Sequence, residues 1–103
     1  MTDAMATPTP FELLARALTL LRSPLPHTWA ACNSGTGNYC VRCAVSAAAD
    51  LFSDERHLRF YDTDESILGA VELLRRHVGT VPVALTEAEA CLAVKKAMAD
   101  AEN

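Results

Sequence analysis

The sequence is short of aromatic residues, of glycines and of long apolar runs. Its 103 residues include six aromatics and four glycines. A β-sandwich wants many β-branched and aromatic residues, so this composition, dominated by alanine and leucine, favours packed helices. No apolar run reaches the roughly 18 residues that a membrane-spanning helix needs.

Positive charge is not in surplus either. The formal net charge is −4, whereas a dedicated nucleic-acid binder needs a strongly basic surface. The first residues, MTDAMATPTP, lack the basic and apolar regions of a signal peptide. We therefore expect a cytoplasmic protein that contacts neither nucleic acid nor membrane directly. In that compartment its four cysteines should be reduced thiols or metal ligands.

The chain is long enough for one core and too short for two. We expect a disordered tail over residues 1–8 and a single helical domain over 9–103. The expected fold is all-α: a compact bundle of about four helices, with a long Pro/Gly loop between the first two. TVPVAL leaves room for a minor extended segment, although Pro82 restricts it to an edge strand.

Capping signals predict where the helices begin and end. Thr9 and Glu12 form a capping box around Pro10, and Thr86 and Glu89 form another before the last helix. YCVRCAVSAAADLF predicts a mostly buried second helix. Asp62 or Thr63 should cap the third helix, DESILGAVELLRRHV, which Gly79 ends. In the last helix the spacing places Ala88, Cys91, Leu92, Lys95 and Met98 near one face, and Cys91 lies on its apolar stripe.

The segment CNSGTGNYCVRCAV holds three of the cysteines. Cys40 and Cys43 have C-x-x-C spacing, and Cys32 lies upstream. A structural zinc site needs four ligands, so one alternative is a zinc module of Cys32, Cys40, Cys43 and His57. The other candidates for its fourth ligand are His27, His77 and Cys91.

A second interpretation of the same cysteines is structural, since reduced cysteine packs as a small hydrophobe. A thioredoxin-like redox pair belongs beside a βαβ pattern that this chain lacks. The two glycines of SGTGN lack the following G-K-[ST] of a P-loop. A cysteine-dependent enzyme stays as a further alternative, because a Cys–His pair meets only in the fold.

Acidic residues are densest between positions 54 and 65. One interpretation is a solvated loop leading into the first turn of a helix, where carboxylates are favoured. The other is a surface that docks on a basic partner. The candidate partner-binding residues are Asp54, Glu55, Asp62, Asp64 and Glu65.

The order of features resembles a family of small bacterial and phage domains of unknown function. The resemblance rests on FELLARALTLL, Trp29, CAVSAAADLF and the terminal TEAEACLAVKKAMADA. That family has a Trp followed by a C-A-L-G-A helix start, where this chain has Cys43-Ala44-Val45-Ser46-Ala47. Ser46 departs from the family's glycine. The resemblance implies a helical fold and a packed role for Cys43.

These features together predict a non-enzymatic accessory protein that binds a partner protein. Small size, mild acidity and the missing cofactor motifs are typical of phage or mobile-element inhibitors of host defence, such as anti-CRISPR proteins. The partner would be a nucleic-acid-binding effector complex, met on its basic surface. We expect no cofactor and either a monomer or a homodimer.

Overall fold

A computed structural model describes residues 7–22, 39–79 and 84–102. These residues form an all-α bundle of four helices, as the composition predicts. In chain order the elements are α1 (Pro10–Leu21), β1 (Tyr39–Cys40), α2 (Val41–Arg56), a 3-10 helix (Phe60–Thr63), α3 (Asp64–Val78), β2 (Ala84–Leu85) and α4 (Glu87–Glu102). None of the helices in these ranges has both the length and the apolar character that crossing a membrane requires.

Both predicted capping boxes are present. At α1 the Glu12 amide donates to Thr9 Oγ1 at 3.2 Å, and the Thr9 amide donates to Glu12 Oε1 at 2.9 Å. At α4 the Glu89 amide donates to Thr86 Oγ1 at 3.2 Å, and the Thr86 amide donates to Glu89 Oε1 at 3.0 Å. Each box satisfies two backbone N–H groups that the first turn of a helix leaves without a partner.

The start of α3 differs from the prediction in detail. Thr63 is its N-cap residue, but the buried Thr63 side chain makes no capping hydrogen bond. The carboxylate of Asp62 instead accepts from the Arg59 amide at 3.0 Å, one turn earlier. The other end agrees with the prediction, because Gly79 ends α3 with a φ of 80°. That left-handed conformation suits glycine.

The core lies around α1, which packs against the other three helices. Its largest buried side chains are Leu13, Leu14 and Leu21. Small residues dominate the faces that meet them, since α2 and α4 bury mainly alanine and valine. These are Val41, Ala44, Val45, Ala48 and Ala49 in α2, and Ala90, Ala93, Val94 and Ala97 in α4. Such faces allow close approach of the helix backbones.

The five residues that the spacing places near one face of α4 differ in burial. Ala88 and Lys95 are exposed, and Leu92 is 53% exposed. Cys91 and Met98 lie partly buried against the core. The face that packs is made of alanines and Val94 because α4 lies close to α1, which leaves no room for leucine there.

A two-stranded antiparallel sheet joins the segment before α2 to the segment before α4. Tyr39 pairs with Leu85, and Cys40 pairs with Ala84. This is the minor extended segment that TVPVAL leaves room for. The predicted Pro/Gly loop falls mainly on 23–38, and these residues, with Trp29 and Pro82, lie outside the described residues.

The packed part of the chain reaches further toward the N-terminus than residue 9. Pro8 is fully buried, and its carbonyl oxygen accepts a hydrogen bond from the Ser66 hydroxyl of α3. The rest of the predicted tail, residues 1–6, lies outside the described residues. Pro8 therefore belongs with the domain, one residue before the predicted boundary.

Candidate functional site

A groove between α3 and α4 is the candidate functional site, and we call it the α3–α4 groove. Its volume is about 240 Å³. It is lined by His77 and Val78 of α3 and by Glu89, Leu92, Ala93 and Lys96 of α4. The α4 residues recur at three- and four-residue spacing, so they lie on one face of that helix. Apolar and charged side chains alternate around the groove.

His77 is held in place by a residue of α4. Its Nε2 lies 2.8 Å from Asp100 Oδ2. The last turn of α3 is a favourable place for a cation, which is the interpretation that the sequence supports. The structure adds a specific partner, so the His77–Asp100 contact ties the two walls of the groove together.

A second cavity, of about 260 Å³, lies on the surface of α1 and α2. Its lining comprises Phe11, Glu12, Ala15, Arg16, Thr19 and Phe52. Sites for small molecules are usually about 300–1,000 Å³ and enclose most of the ligand. Both cavities fall below that range.

The floor of the second cavity is a cluster that joins α1 to α2, which we call the Phe52 cluster. Arg16 donates to both carboxylate oxygens of Glu55 at 2.9 and 3.0 Å, and Arg56 Nη2 donates to Glu12 Oε2 at 2.8 Å. The guanidinium carbons of Arg16 and Arg56 lie 4.5 and 4.6 Å from the Phe52 ring centroid. This geometry adds cation–π attraction to two ion pairs.

These ion pairs shift the acid–base equilibria of their members. The hydrogen bond from Arg56, followed by that of the Thr9 backbone, lowers the pKa of Glu12. The hydrogen bond from Arg16 lowers the pKa of Glu55, and the same bond raises the pKa of Arg16. All three shifts favour the charged forms. The Phe52 cluster is therefore a structural link whose charges are already neutralised.

The structure divides the five predicted partner-binding residues. Glu55 belongs to the Phe52 cluster, and Asp62 is partly buried and bonded to the Arg59 amide. Asp54, at the end of α2, and Asp64 and Glu65, in the first turn of α3, are exposed. Of the five predicted residues, these three are therefore the exposed carboxylates that lie outside the Phe52 cluster.

The structure does not bring His57, the fourth member of the predicted zinc set, near Cys43. Cys43 lies in the first turn of α2, whereas His57 follows its last residue. A helix rises about 1.5 Å per residue, so the two residues are about 20 Å apart and cannot share one ion. Cys40 precedes the helix, in β1, and Cys32 lies outside the described residues. Within 7–22, 39–79 and 84–102, no three potential ligands come together to hold a metal.

Sequence reasoning missed the α3–α4 groove because it grouped Leu92 with Cys91 and Met98 on one face of the last helix. The available signal was the alanine row of α4, which marks the closely packed face and leaves Leu92 outside it.

Comparison of the chain with protein-family models, with curated proteins and with solved structures gives no match.

Proposed function

We propose that this chain is a non-enzymatic protein that acts by binding a partner protein, and that the α3–α4 groove is its docking site. The observation that carries the proposal is the position of Leu92, which is 53% exposed and lines that groove. A half-exposed leucine beside a concavity is a favourable anchor for a partner side chain, because its remaining apolar surface is buried on docking.

The surroundings of Leu92 support recognition of a protein over chemistry on a small molecule. Val78 and Ala93 extend the apolar surface, and Glu89 and Lys96 place charges of both signs beside it. An apolar centre with a polar rim is the usual anatomy of a protein interface. The lining of the α3–α4 groove and that of the second cavity contain no cysteine.

The class of partner follows from charge. The chain carries a net −4, and Asp54, Asp64 and Glu65 expose carboxylates. Such a surface favours a basic partner and repels nucleic acid. We therefore extend the proposal to an inhibitor of a host defence system, of the anti-CRISPR kind, which occupies the basic surface of an effector complex.

Affinity capture with matched variants tests the docking site. Tagged wild-type protein, Leu92→Asp and Leu51→Asp are incubated with effector complexes and host extract, and bound proteins are quantified by mass spectrometry. Leu51 is a suitable control because it is a leucine of similar exposure, 37%, on α2. We expect a partner that Leu51→Asp retains and that Leu92→Asp loses at least tenfold. Equal capture by both variants contradicts the proposed site.

A second set of variants tests the charge argument. Replacement of Asp54, Asp64 and Glu65 together by alanine should slow association with a basic partner and reduce its salt dependence. Unchanged binding kinetics in the triple variant would remove the basic effector from the proposal and leave the groove intact.

A further inference from the structure

The outer face of α3 carries a stripe of exposed side chains, of which the proposed function uses only Asp64 and Glu65. We call it the α3 stripe. Its members are Asp64, Glu65, Leu68, Glu72, Arg75 and Arg76, all exposed. At about 100° per residue they fall within a sector of roughly 120° on one side of the helix. His77 and Val78, which line the α3–α4 groove, lie outside this sector.

Two properties set the stripe apart. Leu68 is 67% exposed, compared with 53% for Leu92 and 37% for Leu51. The charges around it are ordered along the helix, acidic in the first turn and basic in the last. The helix dipole favours that order, but it gives no reason for a leucine at the centre. The same order makes the stripe complementary to a second copy of itself that runs antiparallel, because the acidic end of each α3 then faces the basic end of the other.

We propose that the α3 stripe is a homodimer interface, in which α3 of one copy packs antiparallel on α3 of a second copy about a two-fold axis. A two-fold axis makes the same surface meet itself, so each contact occurs twice. Asp64 and Arg75 lie along one edge of the stripe, and Glu65 and Arg76 lie along the other. In the dimer, Asp64 therefore faces Arg75 of the second copy, and Glu65 faces Arg76.

The centre of the interface brings the two Leu68 side chains together. The axis passes near the middle of α3, so the two leucines are offset by about 6 Å along the helices and pack side by side. Glu72 faces its own equivalent across the axis. Its counter-ion is Arg75 of the same chain, 3.7 Å away. Glu72 is thus the one member whose charge opposes the dimer.

A single helix pair buries little surface, so the dimer is weak and its stability depends strongly on salt. Sedimentation velocity at low salt should show concentration-dependent dimerisation that high salt reverses. Glu72→Gln should tighten the dimer, because it removes the repulsion across the axis. A sedimentation coefficient of the monomer at all concentrations up to millimolar overturns the proposal.

Charge reversal provides the sharper test. Asp64→Lys/Glu65→Lys makes the stripe entirely basic at both ends, and Arg75→Glu/Arg76→Glu makes it entirely acidic. Each variant alone should dimerise at least tenfold more weakly than wild type. A mixture of the two should form a 1:1 heterodimer, because all four charge contacts are attractive again. Absence of that heterodimer, with both variants folded by circular dichroism, contradicts the antiparallel arrangement.

Matched leucine variants separate this interface from the docking site. Leu68→Ser should abolish dimerisation without affecting capture of a partner protein, and Leu92→Ser should do the reverse. Loss of dimerisation in Leu92→Ser with retention in Leu68→Ser would place the interface elsewhere. The dimer and the docking site in the α3–α4 groove therefore stand or fall on different leucine variants.

Discussion

Gly69 of α3 lies directly against Pro10 of α1. A Cβ atom at Gly69 would stand 3.0 Å from Pro10 Cγ, which is too close for comfortable contact. The Ser66 hydroxyl bonds the Pro8 carbonyl one turn away, so the entry to α1 runs close along α3. A glycine inside a helix costs about 1 kcal/mol relative to alanine. The close approach of Pro10 explains why a residue without a Cβ atom occupies position 69.

A larger side chain at Gly69 should therefore destabilise the fold. We expect Gly69→Leu to lower the free energy of unfolding by about 1–3 kcal/mol, although leucine is a better helix former than glycine. Ser46→Leu is the matched control, because Ser46 is exposed within α2 and should change stability by less than about 0.5 kcal/mol. Urea denaturation of both variants measures the difference. Equal stabilities would show that Pro10 moves aside freely.

The capping box of α4 makes a second prediction. Thr86→Ala removes the hydroxyl that accepts from the Glu89 amide and should cost about 1 kcal/mol of stability. Thr19 serves as the control because its hydroxyl donates to the Ala15 carbonyl inside α1, a bond that a helix does not need. Thr19→Ala should be neutral or slightly stabilising. A Thr86→Ala variant as stable as Thr19→Ala would contradict the cap's contribution.

The Phe52 cluster makes a third prediction, on the coupling between an arginine and an aromatic ring. A double-mutant cycle of Arg16→Met with Phe52→Leu should give a coupling of about 0.5–1 kcal/mol, because the guanidinium lies over the ring. Lys96→Met is the control, since Lys96 lines the other cavity. Its effect should add to that of Phe52→Leu. Additivity in the Arg16 cycle would show that the two side chains do not stabilise each other.

The sequence predicts the parts of the fold that depend on local chemistry. Thr9 and Thr86 begin helices and Gly79 ends one. Each acts on backbone groups within one turn, so these roles can be predicted from the sequence without the tertiary structure. The buried face of α4 depends instead on how closely α1 approaches. Hydrophobicity alone therefore favoured Leu92 over the alanines. The α3–α4 groove was missed for a similar reason, because it is formed by residues of two helices that meet only in the tertiary structure.

The cysteines provide a fourth prediction. Because His57 is about 20 Å from Cys43 along α2, the predicted four-ligand set is incomplete. We expect native mass spectrometry of protein purified with added zinc to show the metal-free mass. A mass excess of one zinc that Cys40→Ser removes and Cys91→Ser retains would contradict this expectation. It would instead place a metal site at the junction of β1 and α2.

The dependence of stability on pH tests the Glu12–Arg56 ion pair. Arg56 lowers the pKa of Glu12 in the folded state, so the pair stabilises the fold above the ordinary glutamate pKa of about 4.3. That contribution is lost as the pH falls through the lowered, folded-state pKa. Glu12→Gln keeps the capping box, which accepts either residue at this position, and removes only the charge. The variant should be less stable than wild type at pH 7 and should lose less stability on acidification. Denaturant unfolding between pH 7 and strongly acidic conditions measures both effects.

Arg56→Met should flatten the same profile, and the double variant should add nothing further. A Glu12→Gln profile parallel to that of wild type would show that the ion pair does not contribute to acid unfolding.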